Sequence, residues 1–205
     1  MALINSFGSL KTALSRYMFH PRFVPDYDLA VANFEAAANR RLRVQPMEAS
    51  IPLTTVNGEV ALPADYLLWR TLLYTDTSPA EELEYVHPAY LGDVERDPPR
   101  TFTIEGSLLK ARPIDDRADL FELHYYQRIP TILSSETASN WLITNHHDCY
   151  EFGTLTELFA LGRNVEAAQL YKARRDEVLA EIIRVYSLTT AASSPSVRGQ
   201  GAEFF

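Results

Sequence analysis

The sequence predicts an α+β fold: a helical bundle of N-terminal helices and a C-terminal helical hairpin, with an inserted antiparallel β-sheet or sandwich. Three observations predict it. Apolar residues recur every three to four positions near both ends of the chain. In the middle they alternate instead. Two tight-turn signals, Val56-Asn57-Gly58 and Gly106-Ser107, punctuate that alternation. The implied organisation is a bundle from residues 1–45 and 139–191, a β-rich insertion over 46–138 and a flexible C-terminal tail over 192–205.

Residues around Ser6 to Met18 can form one short helix before Pro21 and Pro25 interrupt the chain. Pro25-Asp26 reads as a helix start. Tyr27, Val31, Phe34, Ala38 and Leu42 follow at spacings of four, three, four and four, which makes one apolar stripe. Asp26 and Asp28 in the first turn and Arg40, Arg41 and Arg43 in the last suit the helix dipole. Ala36-Ala37-Ala38 lets another helix approach closely.

After Pro46 the period changes. Glu48 to Thr55 and Glu59 to Leu62 flank the first turn as a hairpin. Leu67 to Thr75 and Glu82 to Val86 are strands, and Pro88 to Glu95 gives one or two helical turns. Thr101 to Glu105 and Leu108 to Arg112 enclose the second turn as another hairpin. Leu120 to Gln127 places Phe121, Leu123 and Tyr125 on one face and Leu120, Glu122, His124 and Tyr126 on the other. Hairpins this local favour antiparallel pairing. Ser139 or Asn140 caps the next helix, which carries Leu142, Cys149, Phe152 and Phe159 toward a core and stops at Gly162 as its C′ glycine. Asn164 caps the last helix, with Ala168, Tyr171, Val178, Ile182 and Val185 as its stripe. The short connection makes the two helices antiparallel neighbours.

Composition bounds the function. With 205 residues, 46% of them hydrophobic, the chain can bury a core. Its net charge of −8 argues against a duplex-binding surface, which needs clustered Lys and Arg. The single cysteine, Cys149, excludes an internal disulfide. Met1 to Gly8 lacks a signal-peptide pattern, and no apolar run approaches the roughly 18 residues of a membrane span, so a soluble protein without membrane contact is expected.

One cluster carries metal-ligating residue types: His146-His147-Asp148-Cys149, with Glu151 one turn after His147. Adjacent histidines point about 100° apart on a helix. There is no HExxH and no second cysteine, so no metal and no cofactor is expected. Cys149 falls on the core stripe rather than at a helix start that would activate it. No serine sits in a GxSxG elbow, and no glycine-rich strand-to-helix turn is present to hold phosphate. No catalytic residue is assigned. Arg40-Arg41-x-Arg43 and Lys172-x-Arg174-Arg175 read as solvated helix faces. Their functional reading is an ion pair across a subunit boundary, through Arg40, Arg41, Arg43, Arg174 and Arg175.

The joints of the chain carry a resemblance. An N-terminal helix is followed by Leu62-Pro63-Ala64-Asp65-Tyr66 leading into a strand. Then come Phe102-Thr103-Ile104-Glu105-Gly106-Ser107-Leu108-Leu109 with Arg112-Pro113, His124-Tyr125-Tyr126 before a proline, and Asn140-Trp141-Leu142 opening helices. Over about residues 20 to 190 this ordered set resembles the head-to-tail adaptor (connector) proteins of tailed bacteriophages, of the tail tubular protein A or tail accessory factor type. The resemblance implies a structural virion protein at the head-tail interface, assembled in the host cytoplasm. Twelve copies would form a ring under the capsid portal protein and carry the next tail component, a nozzle or tail terminator. DNA would pass through the channel without specific binding, and no catalytic residue would be carried over.

The C-terminal tail would order on the portal, with Val197, Arg198, Phe204 and Phe205 as docking residues. No apolar patch stands out beyond the helix stripes, so a monomer in isolation is expected, assembling on the portal as template. The competing readings are a tail terminator, stopper or other tail-completion protein, and a metal-dependent hydrolase using His146, His147, Asp148 or Glu151.

Overall fold

A computed structural model describes residues 4–17, 26–90, 100–112 and 118–193. The chain folds as two units, one from residues 1–45 with 130–205 and one from 46–129. The first is helical and the second is built of strands, which makes the α+β class predicted above.

In the helical unit, α1 (Phe7–Leu14) opens with a reciprocal cap between Ser6 and Ser9. Its first turn docks on the later loop, where the N–H groups of Phe7 and Gly8 donate to the carbonyls of Ala138 at 3.2 Å and Glu136 at 2.9 Å. Asp26 caps α2 (Tyr27–Arg41) by accepting the Leu29 N–H at 3.0 Å. Val31, Phe34, Ala38 and Leu42 of the predicted stripe are fully buried. A charged residue joins them: Glu35 is 7% exposed.

Ala36 is exposed. Ala38 at the end of the alanine run is fully buried, and a close helix approach is also made at a glycine. The approach is made by Gly153 of α4 (His147–Leu161), where a Cβ would stand 2.0 Å from Cδ2 of Phe34. A glycine is needed because a whole aromatic ring occupies the space a side chain would take. The Phe34 ring also meets Tyr150 edge-on at 4.9 Å.

The helix predicted from Asn140 to Gly162 is broken. Asn140 caps a short α3 (Trp141–Asn145) by accepting the Ile143 N–H at 3.0 Å. His146 then leaves the helical region with φ −138° and ψ 58°. On α4, Cys149, Tyr150, Gly153, Leu155 and Leu158 are buried, while Phe152 and Phe159 stay half-buried. Burial pushes the Cys149 thiol up to about 12. At the far end of α4, Gly162 has φ −73°, and Arg163 takes the left-handed position at φ 59°.

Asn164 caps α5 (Val165–Ser193), accepting the Ala167 N–H at 3.1 Å. Phe159 stacks on Tyr171 at one end of the pair, and His146 meets Tyr186 toward the other, so α4 and α5 run antiparallel. The buried line of α5 is Arg175, Leu179 and Ile182, whereas Val185 is 41% exposed. A 3.6-residue period reaches Leu179 and Tyr186 from Arg175, not Val178 and Val185. Arg175 earns its buried place by ion pairs with Asp176 at 3.0 Å and Glu157 at 3.8 Å. Arg41 of α2 also binds Asp176. Burial raises the Asp176 carboxyl, but hydrogen bonds and charge from Arg41 and Arg175 outweigh it and hold the group below its ordinary value.

The strand unit is two four-stranded sheets with the orders β1-β8-β3-β4 and β2-β7-β6-β5. Their members are β1 (Glu48–Thr54), β2 (Glu59–Ala61), β3 (Tyr66–Tyr74), β4 (Glu81–Glu82), β5 (Glu84–Tyr85), β6 (Thr101–Glu105), β7 (Leu108–Arg112) and β8 (Leu120–Gln127). Leu53, Leu72, Phe102, Leu109, Phe121, Leu123 and Tyr125 form the shared core. Trp69 of the first sheet stacks on Tyr85 and meets Phe102 edge-on, both at 5.3 Å, and so links the two sheets.

The first predicted hairpin is corrected. Asn57 and Gly58 do take positive φ, 54° and 69°, as a type I′ turn requires. Beyond a single bridge from Val56 to Glu59 the strands part company, β1 to pair with β8 and β2 with β7. The apolar face of β8, opposite Ala49, Ile51 and Leu53, outweighs the local turn. The second hairpin forms as read, from β6 and β7. One pair departs from the antiparallel expectation, since β5 runs parallel to β6.

Gly153→Ala is expected to destabilise the protein by about 1–3 kcal/mol despite alanine's higher helix propensity, because Phe34 must move. Denaturant unfolding measures it. Cys149 is expected to resist thiol reagents in the native protein at any pH where it stays folded, and to react on unfolding. A colorimetric thiol assay with and without denaturant reads this directly.

Candidate functional site

The residues of the cluster around His146 are held apart from one another. His147 is exposed and Cys149 is fully buried, so they face different environments. Glu151 accepts a hydrogen bond from the Tyr17 hydroxyl at 2.9 Å. The His146 ring packs edge-on between Trp141 at 6.4 Å and Tyr186 at 6.0 Å. Burial pulls its pKa down, partly offset by Asp148 and Glu181. Among the described residues no group of three or more His, Cys, Asp or Glu could hold a metal ion. No described helix is long and apolar enough to cross a membrane.

The arginines predicted at a subunit boundary divide by what they touch. Arg41 and Arg175 hold Asp176 within the chain. Arg43 Nη1 donates to the Asn39 carbonyl at 2.7 Å and to that of Leu42, closing the end of α2. Arg40 and Arg174 are exposed, and Arg174 lies over the Phe152 ring at 5.8 Å. Val197, Arg198, Phe204 and Phe205 lie outside the described residues.

The structure adds a surface that the sequence reading had assigned to the core. Tyr171 of α5 stacks on Phe159 at 5.4 Å with a 4° interplanar angle, and on Phe152 at 6.2 Å. Tyr17, just after α1, closes on it edge-on at 6.2 Å and is itself exposed. The hydrogen bond to Glu151, helped by burial, raises the Tyr17 hydroxyl pKa, so it remains a donor. The result is a half-buried aromatic shelf capped by Arg174. Aromatic rings and arginine are the residue types enriched at protein interfaces. The sequence clue was Tyr171 with Arg174 three residues on, one flank of α5 rather than its centre.

Both joint motifs act as anchors. The Asp65 carboxylate accepts the Tyr125 hydroxyl at 3.1 Å, and its carbonyl accepts the Arg128 N–H at 2.7 Å. Asn140 Nδ2 donates to the Pro130 carbonyl at 2.6 Å and to the Tyr150 hydroxyl at 2.7 Å. These contacts position the backbone and leave each group engaged inside the chain. What the molecule offers outward is surface.

No curated protein matches the chain in sequence. The profile of the SU10 adaptor protein family matches residues 5–199, both units and their joints included. The chain belongs to the SU10 adaptor family, structural adaptors that join head to tail in bacteriophages.

Proposed function

We propose that this adaptor forms a ring of twelve copies docked under the portal of the capsid, extends the DNA channel and carries the next tail component, a nozzle or tail terminator. The observation that carries this reading is the match to the adaptor family over nearly the whole chain. Two physical features support it. The net charge of −8 suits a channel wall that DNA must slide past, because each bound phosphate would add drag. Outward-facing aromatic and arginine side chains among the described residues fit a protein whose work is to be held between others.

In this reading neighbouring copies meet through the helical unit. Arg40 and Arg174 reach across the subunit boundary, while Arg43 closes the end of α2 and Arg41 and Arg175 tie α2, α4 and α5 together through Asp176 and Glu157. Exposed Glu166 and Glu177 on α5 supply opposite charge on the adjoining copy. Val197, Arg198, Phe204 and Phe205 dock on the portal. The copies are monomers until the portal gathers them.

Deletion of residues 194–205 is expected to abolish binding to purified portal rings while leaving the unfolding midpoint unchanged. Arg174→Glu is expected to leave the fold intact and prevent a complete ring from assembling on the portal. Sedimentation of each variant with portal rings checks both. Unchanged portal binding by the truncated chain would remove the docking role of the tail.

A further inference from the structure

The two sheets have four outer edges among the described strands, and three of them are blunted. β2 is three residues long, and β4 and β5 are two each. β4 and β5 carry exposed Glu81, Glu82 and Glu84, whose charges oppose the addition of another strand. β1 is different. It is seven residues long, and its single charged side chain, Glu48, is neutralised by Arg70 at 2.5 Å.

The register shows which groups β1 leaves open. The Thr55 N–H donates to the Asp119 carbonyl at 3.0 Å, so that pair is hydrogen-bonded. In an antiparallel ladder bonded pairs alternate, so Ala49, Ile51 and Leu53 bond to Tyr125, Leu123 and Phe121 of β8. Glu48, Ser50, Pro52 and Thr54 therefore turn their main-chain groups to the open side. Pro52 is tolerated because its missing N–H falls on that side and not in the ladder. The N–H groups of Ser50 and Thr54 and four carbonyls stand in a row at strand spacing. Beside their start lies a cavity of about 230 Å³ lined by Glu48, Ala49, Ser50, Arg70, His124 and Tyr125.

We propose that the open edge of β1 is a docking strand for an extended, uncharged segment of another virion polypeptide, which adds as a further strand of the first sheet and places one large side chain in the cavity beside Ser50. The main-chain row defines the occupant, since only an extended backbone matches it. Charge selects further. The local ion pair leaves the strip neutral, and the acidic chain disfavours acidic segments. This inference rests on the adaptor reading, because it needs a neighbour in the particle.

Hydrogen exchange tests it, comparing the full chain free in solution with the chain in purified phage particles. The Ser50 and Thr54 amides are expected to exchange freely in the isolated protein and to slow by more than about tenfold in the particle, while Ala49, Ile51 and Leu53 are protected in both. Unprotected Ser50 and Thr54 in a particle that contains the chain overturn the docking strand alone. Absence of the chain from the particle fails the adaptor reading itself. Protection that grows with concentration in the free chain assigns the edge to a second copy and overturns the proposal. Ser50→Pro removes an outward N–H without touching the ladder to β8. It is expected to keep the unfolding midpoint and to lose Thr54 protection in the particle, and full Thr54 protection in this variant overturns the proposal.

Discussion

One buried hydrogen-bond chain holds the helical unit together. Oε1 of Glu35 accepts from the Tyr150 hydroxyl and from the Ile132 N–H, both at 2.9 Å. The Tyr150 hydroxyl accepts from Asn140, which also caps α3 and reaches the Pro130 carbonyl. Burial and the neighbouring Glu35 push the tyrosine far above its ordinary pKa, so it stays protonated and keeps donating. Each member is out of water, and losing one partner leaves another unsatisfied at a cost of about 1–3 kcal/mol. The chain joins α2, the loop after β8, α3 and α4. It therefore closes the bundle across the whole strand insertion, and the docking of α1 on that same loop depends on it.

The strand unit has its own pivot in β8. Phe121, Leu123 and Tyr125 fill the core, while its two edges pair with β1 and β3. Asp65, in the turn before β3, holds Tyr125 by its hydroxyl. Once β8 is taken on both sides, β1 becomes an outer edge, and its open main-chain groups are the consequence. The same alternation that buries the core thus creates the surface available to a partner.

The local features of this arrangement were legible in the sequence. The α2 stripe, the caps at Asp26, Asn140 and Asn164, the left-handed turn at Asn57-Gly58 and the alternation of β8 follow from side-chain chemistry within a few residues. What was missed depends on distant partners. Glu35 reads as a surface charge until Tyr150 and Ile132, about a hundred residues away in sequence, are brought to it. Gly153 is explained by Phe34, not by its neighbours. The first turn forms as read, yet β1 and β2 separate because burial against β8 and β7 outweighs local pairing. Phe152 and Phe159 read as core with Cys149, but at 100° per residue they fall about 60–80° to one side of it, which places them on the aromatic shelf at the edge of the buried face. The joints were informative for the opposite reason. Leu62-Pro63-Ala64-Asp65-Tyr66 and Asn140-Trp141-Leu142 are sites where side chains fix the backbone, and such constraints leave a pattern in sequence.

A protein whose joint motifs are engaged internally, and whose described surface offers an aromatic shelf, exposed arginines and one long outer strand, suits being gripped by other proteins. The most direct test is native mass spectrometry of the purified chain, alone and mixed with the portal ring of the same phage. A monomer alone and twelve copies added per portal ring is the predicted result. No binding to the portal, or a ring of another number, would contradict the adaptor assignment at this position and favour a tail terminator or stopper.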